Sequence, residues 1–492
     1  MQWYSDHRHG SARWPCAHEI SRADLYGGRG VFIGLCPFTG RFMTLEGDAP
    51  LSLIGGSGSG KGTTKLLYNN FYPGSMLLLS PKGEIGAMIS AYQRAAGKEY
   101  RCINPNGLHT EPPWNLPCDT LNPFDVLKAD SRYLVSDCKR IAAMLIGIDP
   151  NGKSFFPKRA RQWLENLLLA YVLTHERPTL PGLMRVLNAI EGDFERFKAL
   201  ATVFSNLGND YIRRTCAEIV TKRKEAKEEF SGVVSTLYAE LGFMSDPALQ
   251  ALFSGADFSL DILTREHPKA VVEIAFPAEN LSIWNKALRL IIGVAMLYQY
   301  RAQGGGKALF LIDEAAQLQY FEELEQSYTY GRSFYRTYAV WQDLGQIMRW
   351  YGQAGVQTFL GSSQAKIFIG IRDLETAQTV SAMLGTQTIE VDNPIYTARA
   401  RHARQQAIKQ LVFYGADPFQ TGLELAHWAR EERHRDKFHR PLLTPDEVLN
   451  MPEDRSLVFL AGKDVYPIPA RRAPYFQRPE IARYFLPNPY HA

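Results

Sequence analysis

The stretch "LSLIGGSGSGKGTTKLL", residues 51–67, decides the fold. Leu51 to Ile54 read as a short strand, glycine fills four of the next six positions, and a helical pattern opens at Lys61. Backbone N–H groups converge on phosphate oxygens only where glycine removes side-chain bulk, and the following helix N-terminus adds partial positive charge. Gly55, Gly56, Ser57, Gly58, Ser59, Gly60, Lys61, Gly62 and Thr63 therefore form a candidate nucleotide cradle, with Lys61 reaching the β- and γ-phosphates of ATP. Gly62 stands where such loops usually carry the hydroxyl that binds Mg2+. Thr63 or Thr64 is the expected substitute, or water fills the shell, since Mg2+ keeps several waters.

The second half of the site is expected in "ALFLIDEAAQL", residues 308–318. A buried strand there delivers Asp313 to the Mg2+ shell, and Glu314 orients or deprotonates an attacking water. An Asp-Glu pair favours a hydrolysing ATPase over a small-molecule kinase. The two motifs lie 313 − 61 = 252 residues apart. A βαβ unit needs only about 30, so an insertion is required. In "TYAVWQDLGQI", Gln342 falls at a strand's carboxyl end, where open α/β sheets bind ligands, and is a candidate γ-phosphate sensor or water positioner. Arg332, in "YGRSFYRTY", is a candidate arginine finger for a neighbouring subunit. Spacing alone does not separate it from a surface arginine.

Eight short apolar runs recur, at 51–54, 76–80, 100–103, 271–275, 308–312, 337–341, 366–371 and 456–460. Near-continuous apolarity is what strands buried on both faces require, so the expected class is α/β with a largely parallel sheet. Between about 131 and 256 the strand signal vanishes. Ala160, Trp163, Leu164, Leu167, Leu168, Tyr171 and Val172 form one helical stripe, and similar stripes follow. The expected organisation is an N-terminal segment (1–44), a nucleotide-binding domain in two parts (45–130 and 257–492), and an all-α domain inserted at 131–256. A basic, irregular stretch at 392–440 ("ARARHARQQAIKQ", "REERHRDKFHR") reads as a solvated face or as a contact for phosphate backbones.

At 492 residues, more than one compact unit is expected, and 45% hydrophobic with 22% charged residues suits a folded chain. A net charge of +4 neither demands nor excludes nucleic acid. Six scattered cysteines without a C-x-x-C pair suit a reducing cytoplasm. "DHRHG" (6–10), with Cys16 and His18 nearby, reads as a polar segment rather than a metal site. No secretory signal stands at the start. The greasiest stretch, "ALRLIIGVAMLYQY", is too short for a bilayer and holds Arg289, so a soluble chain is expected.

In combination and order, these motifs resemble the TraG/TraD-type coupling proteins of conjugation and type IV secretion. The resemblance also runs through "HGSARWPCAHEI" (9–20), "SPKGE" (80–84), "LNPFDVL" (121–127), "LGSSQAKIFIGIRDLETAQTVSAMLGTQT" (360–388) and "RPLLTPDEVLNMPEDRSLVFLAG" (440–462). It implies a RecA-like P-loop ATPase forming a hexameric ring. Such a ring moves single-stranded DNA with its relaxase, or protein effectors, toward the channel subunits of a secretion system. On that resemblance Lys61 contacts phosphate, Asp313 and Glu314 are the acidic pair, Gln342 is the sensor, Arg332 acts in trans, and Lys82 lies near the nucleotide. Glycine after the loop lysine is common in this family, whereas Ser80 replaces its usual aspartate. The family's two transmembrane helices are expected upstream of "GSARW", where none stands. Membrane association is thus expected through partners, at the cytoplasmic face of the bacterial inner membrane. Two other readings remain open: a helicase-like motor of replication or repair, and a non-hydrolysing docking platform.

Overall fold

Apolar runs that need cover on both faces build the centre of the molecule. A computed structural model describes residues 10–148, 155–302, 304–432 and 435–490. Most of "DHRHG" lies outside the described residues. In chain order the strands are β1 (Val31–Leu35), β2 (Phe42–Leu45), β3 (Leu51–Gly55), β4 (Met76–Leu79), β5 (Glu99–Ile103) and β6 (Ala270–Ile274). There follow β7 (Leu309–Ile312), β8 (Arg336–Trp341), β9 (Ala365–Ile369), β10 (Thr386–Asp392), β11 (Arg435–Pro441), β12 (Arg455–Leu460) and β13 (Ile468–Arg471).

Eleven of these form one sheet in the order β2-β1-β13-β12-β9-β3-β8-β7-β4-β6-β5. From β9 to β5 every pairing is parallel. Successive residues serve opposite cores: Ile54, Leu77, Phe310 and Ile312 face one, and Leu53, Leu78, Leu309 and Leu311 face the other. Both faces are buried, which is why these strands do not alternate with polar residues.

Seven of the eight apolar runs are parallel strands. The eighth, at 456–460, is corrected: β12 pairs antiparallel with both β9 and β13. It belongs to an antiparallel wing, β12-β13-β1-β2, whose other strands the sequence reading omits. Gly34 interrupts β1 beside an irregularity in its register, and Pro469 breaks β13. Neither therefore reads as an apolar run.

Among the described residues from 131 to 256 there is no strand. Helices cover Leu134–Leu145, Phe155–Thr174, Leu180–Gly192, Phe194–Ser205, Asp210–Glu225, Lys227–Leu241 and Pro247–Ser254. Ala160, Trp163, Leu164, Leu167 and Leu168 are fully buried along the stripe. Side-chain caps start several of these helices: Thr179 accepts from the Gly182 N–H, and Asn209 from those of Tyr211 and Ile212.

The basic stretch at 392–440 is not irregular. β10 and β11 make a separate antiparallel ribbon, and helices Pro394–Tyr414 and Pro418–Glu431 form a hairpin upon it. Lysine, arginine and histidine along β11 conceal its strand character. Ala12 and Thr388 N–H groups bond Thr386 and Gly10 carbonyls, so the segment near residue 11 lies against the root of β10. Arg13 in turn covers the Tyr466 ring in the β12–β13 turn, at the sheet end remote from the glycine loop. Among the described residues, no helix is long and apolar enough to cross a membrane.

Candidate nucleotide site

β3 ends at Gly55, and the loop that follows turns on Gly58 (φ +71°) and Gly60 (φ +79°), a region that strains residues with a Cβ. Lys61 Nζ donates to the carbonyls of Gly55 (2.7 Å) and Gly56 (3.2 Å), so the ammonium caps the loop from within. The Ser59 hydroxyl is buried without a partner. The first turn after Lys61, Gly62–Leu66, is a wide one closed by the Leu67 N–H on the Gly62 carbonyl. Such a turn holds one more residue than an α-turn.

That turn separates the two threonines. Thr64 is buried, and its hydroxyl donates to the Gly60 carbonyl at 2.7 Å. Thr63 reaches the same carbonyl only at 3.4 Å and is half-buried, which leaves its oxygen the more available. A Cβ added at Gly62 would meet nothing within 4 Å, so space does not force the missing hydroxyl there.

Two strands over from β3, β7 delivers Asp313 and Glu314. The Asp313 N–H bonds the Leu79 carbonyl at 3.3 Å, extending the β4 pairing to the acidic pair. Its carboxyl is pushed up to about 7, by burial first and then by the Glu314 charge, with Lys61 opposing. Glu314 sits in the left-handed region (φ 56°, ψ 49°), a conformation unusual for a side-chain-bearing residue. From β8, between β3 and β7, Gln342 Nε2 donates to Glu314 Oε2 at 3.0 Å. Lys61, Asp313, Glu314 and Gln342 thus gather at the carboxyl ends of three adjacent parallel strands.

Of the two other candidates, Lys82 follows β4 at the same end of the sheet and Arg332 lies at the opposite end. Arg332 is exposed in the turn before β8, and its carbonyl accepts from Lys307 Nζ, which also pairs with Asp48 at 2.6 Å. This is the amino end of β8. Six strand residues, about 20 Å, separate it from Gln342, so Arg332 is turned away from its own chain's loop. Lys82 has φ 75°, and its Nζ lies over the Tyr490 ring, 5.6 Å from the centroid. Its carbonyl accepts from His109 (2.9 Å) and Tyr490 (3.2 Å).

Sequence reasoning missed two arginines beside the loop. Arg372 follows β9 and runs along Gly56, and Arg472 Nη1 donates to the Ser59 carbonyl at 2.5 Å. With Thr63, Ile371, Met451 and Gln477 they line a cavity of about 440 Å3 opening from the loop. Arg372 was legible as a charge at a strand's carboxyl end. Arg472 was not, because its strand was unrecognised.

A glycine loop on the central strand and an acidic pair two strands away are features of many nucleotide-binding families. The model of the family described as type IV secretory system conjugative DNA transfer matches residues 2–410 and 427–488. This chain belongs to that family. The internal gap in the match, residues 411–426, falls at the tip of the helical hairpin.

A probable conjugal transfer protein TraG of Sinorhizobium fredii is 26% identical over 93% of this chain and 66% of its own length. The type IV secretion system-coupling protein VirD4 of Bartonella quintana is 25% identical over 88% of this chain and 64% of its own. The chain thus spans about two-thirds of the length of these relatives. Among solved structures, the plasmid coupling protein TrwB in complex with ADP and Mg2+ covers 96% of both chains, with a TM-score of 0.63 and 16% identity. TrwB in complex with a non-hydrolysable ATP analogue covers 95% of this chain at 15% identity, with a TM-score of 0.63. At such identities the likeness fixes the fold alone, which is RecA-like with a mostly parallel sheet.

Proposed function

We propose that this chain is the ATP-hydrolysing motor of a coupling protein. It recruits single-stranded DNA with its relaxase, or protein effectors, to the channel of a type IV secretion system at the cytoplasmic face of the inner membrane. The observation that carries this reading is the convergence of Lys61, Asp313, Glu314 and Gln342 at one end of β3, β8 and β7. ATP and Mg2+ fit these residues. The Asp313 carboxylate and the Thr63 hydroxyl are the oxygen donors such an ion prefers, and a half-buried carboxylate with a raised proton affinity gains from a cation. Bound Mg2+ supplies charge neutralisation across the β- and γ-phosphates.

Lys61 leaves the Gly55 and Gly56 carbonyls for phosphate oxygens. The loop N–H groups and the helix start hold the triphosphate. Glu314, oriented by the Gln342 amide, takes the proton of the attacking water. Because Arg332 faces away from its own loop, a neighbouring subunit's Arg332 completes each site, which calls for a closed ring; we propose six members. Residues 45–130 and 257–492 form the motor, joined in its sheet by β1 and β2 of the N-terminal segment 1–44, and the helices of 131–256 face the substrate. Relatives named as conjugal transfer and secretion-coupling proteins support this reading.

The test is steady-state ATP turnover with and without single-stranded DNA, read beside the mass of the assembly. DNA-stimulated turnover by a ring, lost in Lys61→Ala, is expected. Absence of turnover and of any ring, at every protein concentration, overturns the proposal.

A further inference from the structure

Behind the phosphate loop lie two buried basic side chains with no carboxylate among the described residues in ion-pair contact. Lys65, four residues after the loop lysine, is fully buried on the face of the helix start that meets the antiparallel wing. Its Nζ donates to the Ile33 carbonyl of β1 at 2.6 Å and to the Ser456 hydroxyl of β12 at 3.2 Å. Arg472, just past β13, is only 8% exposed. Besides the Ser59 carbonyl it holds the Glu453 carbonyl through Nη2, and its own N–H bonds the Asp454 carbonyl at 2.7 Å. Its Nε is buried without a partner, on a residue that lines the cavity beside the loop.

Every hydrogen-bond acceptor of these two side chains is a neutral oxygen, and Lys65 Nζ also lies over the Phe32 ring, 5.5 Å from its centroid. The Glu453 and Asp454 charges favour the Arg472 cation from a distance, but both carboxylates are exposed to water, and Asp454 pairs with Arg455 at 3.6 Å. Among the described residues neither Lys65 nor Arg472 forms an ion pair. Burial disfavours both charges, and Arg472 adds to the cost at Lys65. Removing a charge from water without a counter-charge is expensive, and an anion bound nearby offsets that cost and favours the charged form. The site that adjoins both is the phosphate loop. Arg472 touches it directly, and Lys65 belongs to the helix that begins there.

We infer that Lys65 and Arg472 are positioning residues for a polyphosphate: two buried basic groups without ion-pair partners stand between the loop and the antiparallel wing, and bound phosphates supply the negative charge that favours their cationic forms. Arg472 also fixes the loop through the Ser59 carbonyl. The inference rests on the nucleotide reading of the loop and deepens it. It assigns the wing an electrostatic role in nucleotide affinity, and it makes the nucleotide-free protein less stable than its packing permits.

ADP with Mg2+ is the probe, titrated calorimetrically against wild type, Lys61→Ala, Lys65→Met, Arg472→Gln and Arg472→Lys, with melting temperatures recorded without nucleotide. Lys65→Met is expected to bind ADP about tenfold more weakly while melting no lower than wild type, because an unbalanced buried charge has been removed. Arg472→Gln loses about as much affinity, and Arg472→Lys recovers part of it, since the charge is kept without the two-pronged reach. A purely structural brace gives the opposite pattern: a lower melting temperature and unchanged ADP affinity in Lys65→Met. That result overturns the inference, as does unchanged affinity in both Lys65→Met and Arg472→Gln. Lys61→Ala separates the two readings. If wild type binds ADP and Lys61→Ala does not, failure at Lys65 and Arg472 sinks the inference alone. If wild type does not bind, the nucleotide reading falls with it.

Discussion

At the carboxyl ends of β3, β7 and β8, Lys61, Asp313, Glu314 and Gln342 are half-buried and face one another, with the Gln342 amide on the Glu314 carboxylate at 3.0 Å. At the amino ends of the same sheet, Arg332 is exposed, Lys307 pairs with Asp48, and the segment near residue 11 meets the ribbon that carries the helical hairpin. One end is assembled to hold a charged ligand; the other presents cationic side chains outward. Parallel strands make this division, because every loop that follows a strand opens at the same end and every loop that precedes one opens at the other. On the proposed reading, a single chain carries the nucleotide cradle at one end of the sheet and Arg332 at the other.

The strongest way to break this contrast is at Arg332. Arg332→Ala is expected to lower ATP turnover by about 10^3-fold, as for other trans-acting arginines. Mixing it with Lys61→Ala restores part of the activity, because some interfaces pair an intact loop with an intact Arg332. Recovery of no activity on mixing would place the arginine's effect within its own chain.

At the other end, Glu314→Gln lowers kcat by about 10^2-fold while ADP affinity measured by calorimetry is retained. Loss of binding instead of turnover would make Glu314 part of the cradle. A smaller change is expected from Gln342→Ala. One orienting hydrogen bond is lost, and single-turnover hydrolysis slows by about tenfold.

The smallest effect concerns the hairpin. Arg401 and Arg404 already pair with Glu432, at 2.9 and 3.3 Å, while Arg399 forms no ion pair among the described residues. Replacing Arg399, Arg401 and Arg404 together by Gln is expected to reduce the salt slope of single-stranded DNA binding by about 1, not by three. Fluorescence anisotropy across a salt series reads the difference. An unchanged slope leaves the arginines as a solvated face.

Much of the cradle was legible because its chemistry is local. Glycines, lysine and a strand lie within one short stretch, and backbone N–H groups need no distant partner to point at phosphate. The acidic pair was legible for a similar reason: four apolar residues in a row announce a buried strand, and a charge at its end must leave the core. The wing was harder. β1 and β13 are short and broken by Gly34 and Pro469; β1 is held by its hairpin with β2 and touches β13 at Leu35, and β13 is held by β12. The ribbon was hidden because charged residues dominate β11, whose backbone pairing with β10 no apolar pattern records.

By itself, the sequence determined the loop, the apolar runs that become the parallel core, and the helical nature of the described residues in 131–256, since each follows from the spacing of neighbouring residues. Tertiary structure decided what depends on residues meeting from far apart. It turned β12 antiparallel, set Arg332 at the opposite end from the loop, and brought Arg472 onto the Ser59 carbonyl from 413 positions away. Which partner a strand or a buried charge finds is settled by the packing of the whole sheet. No local pattern encodes it.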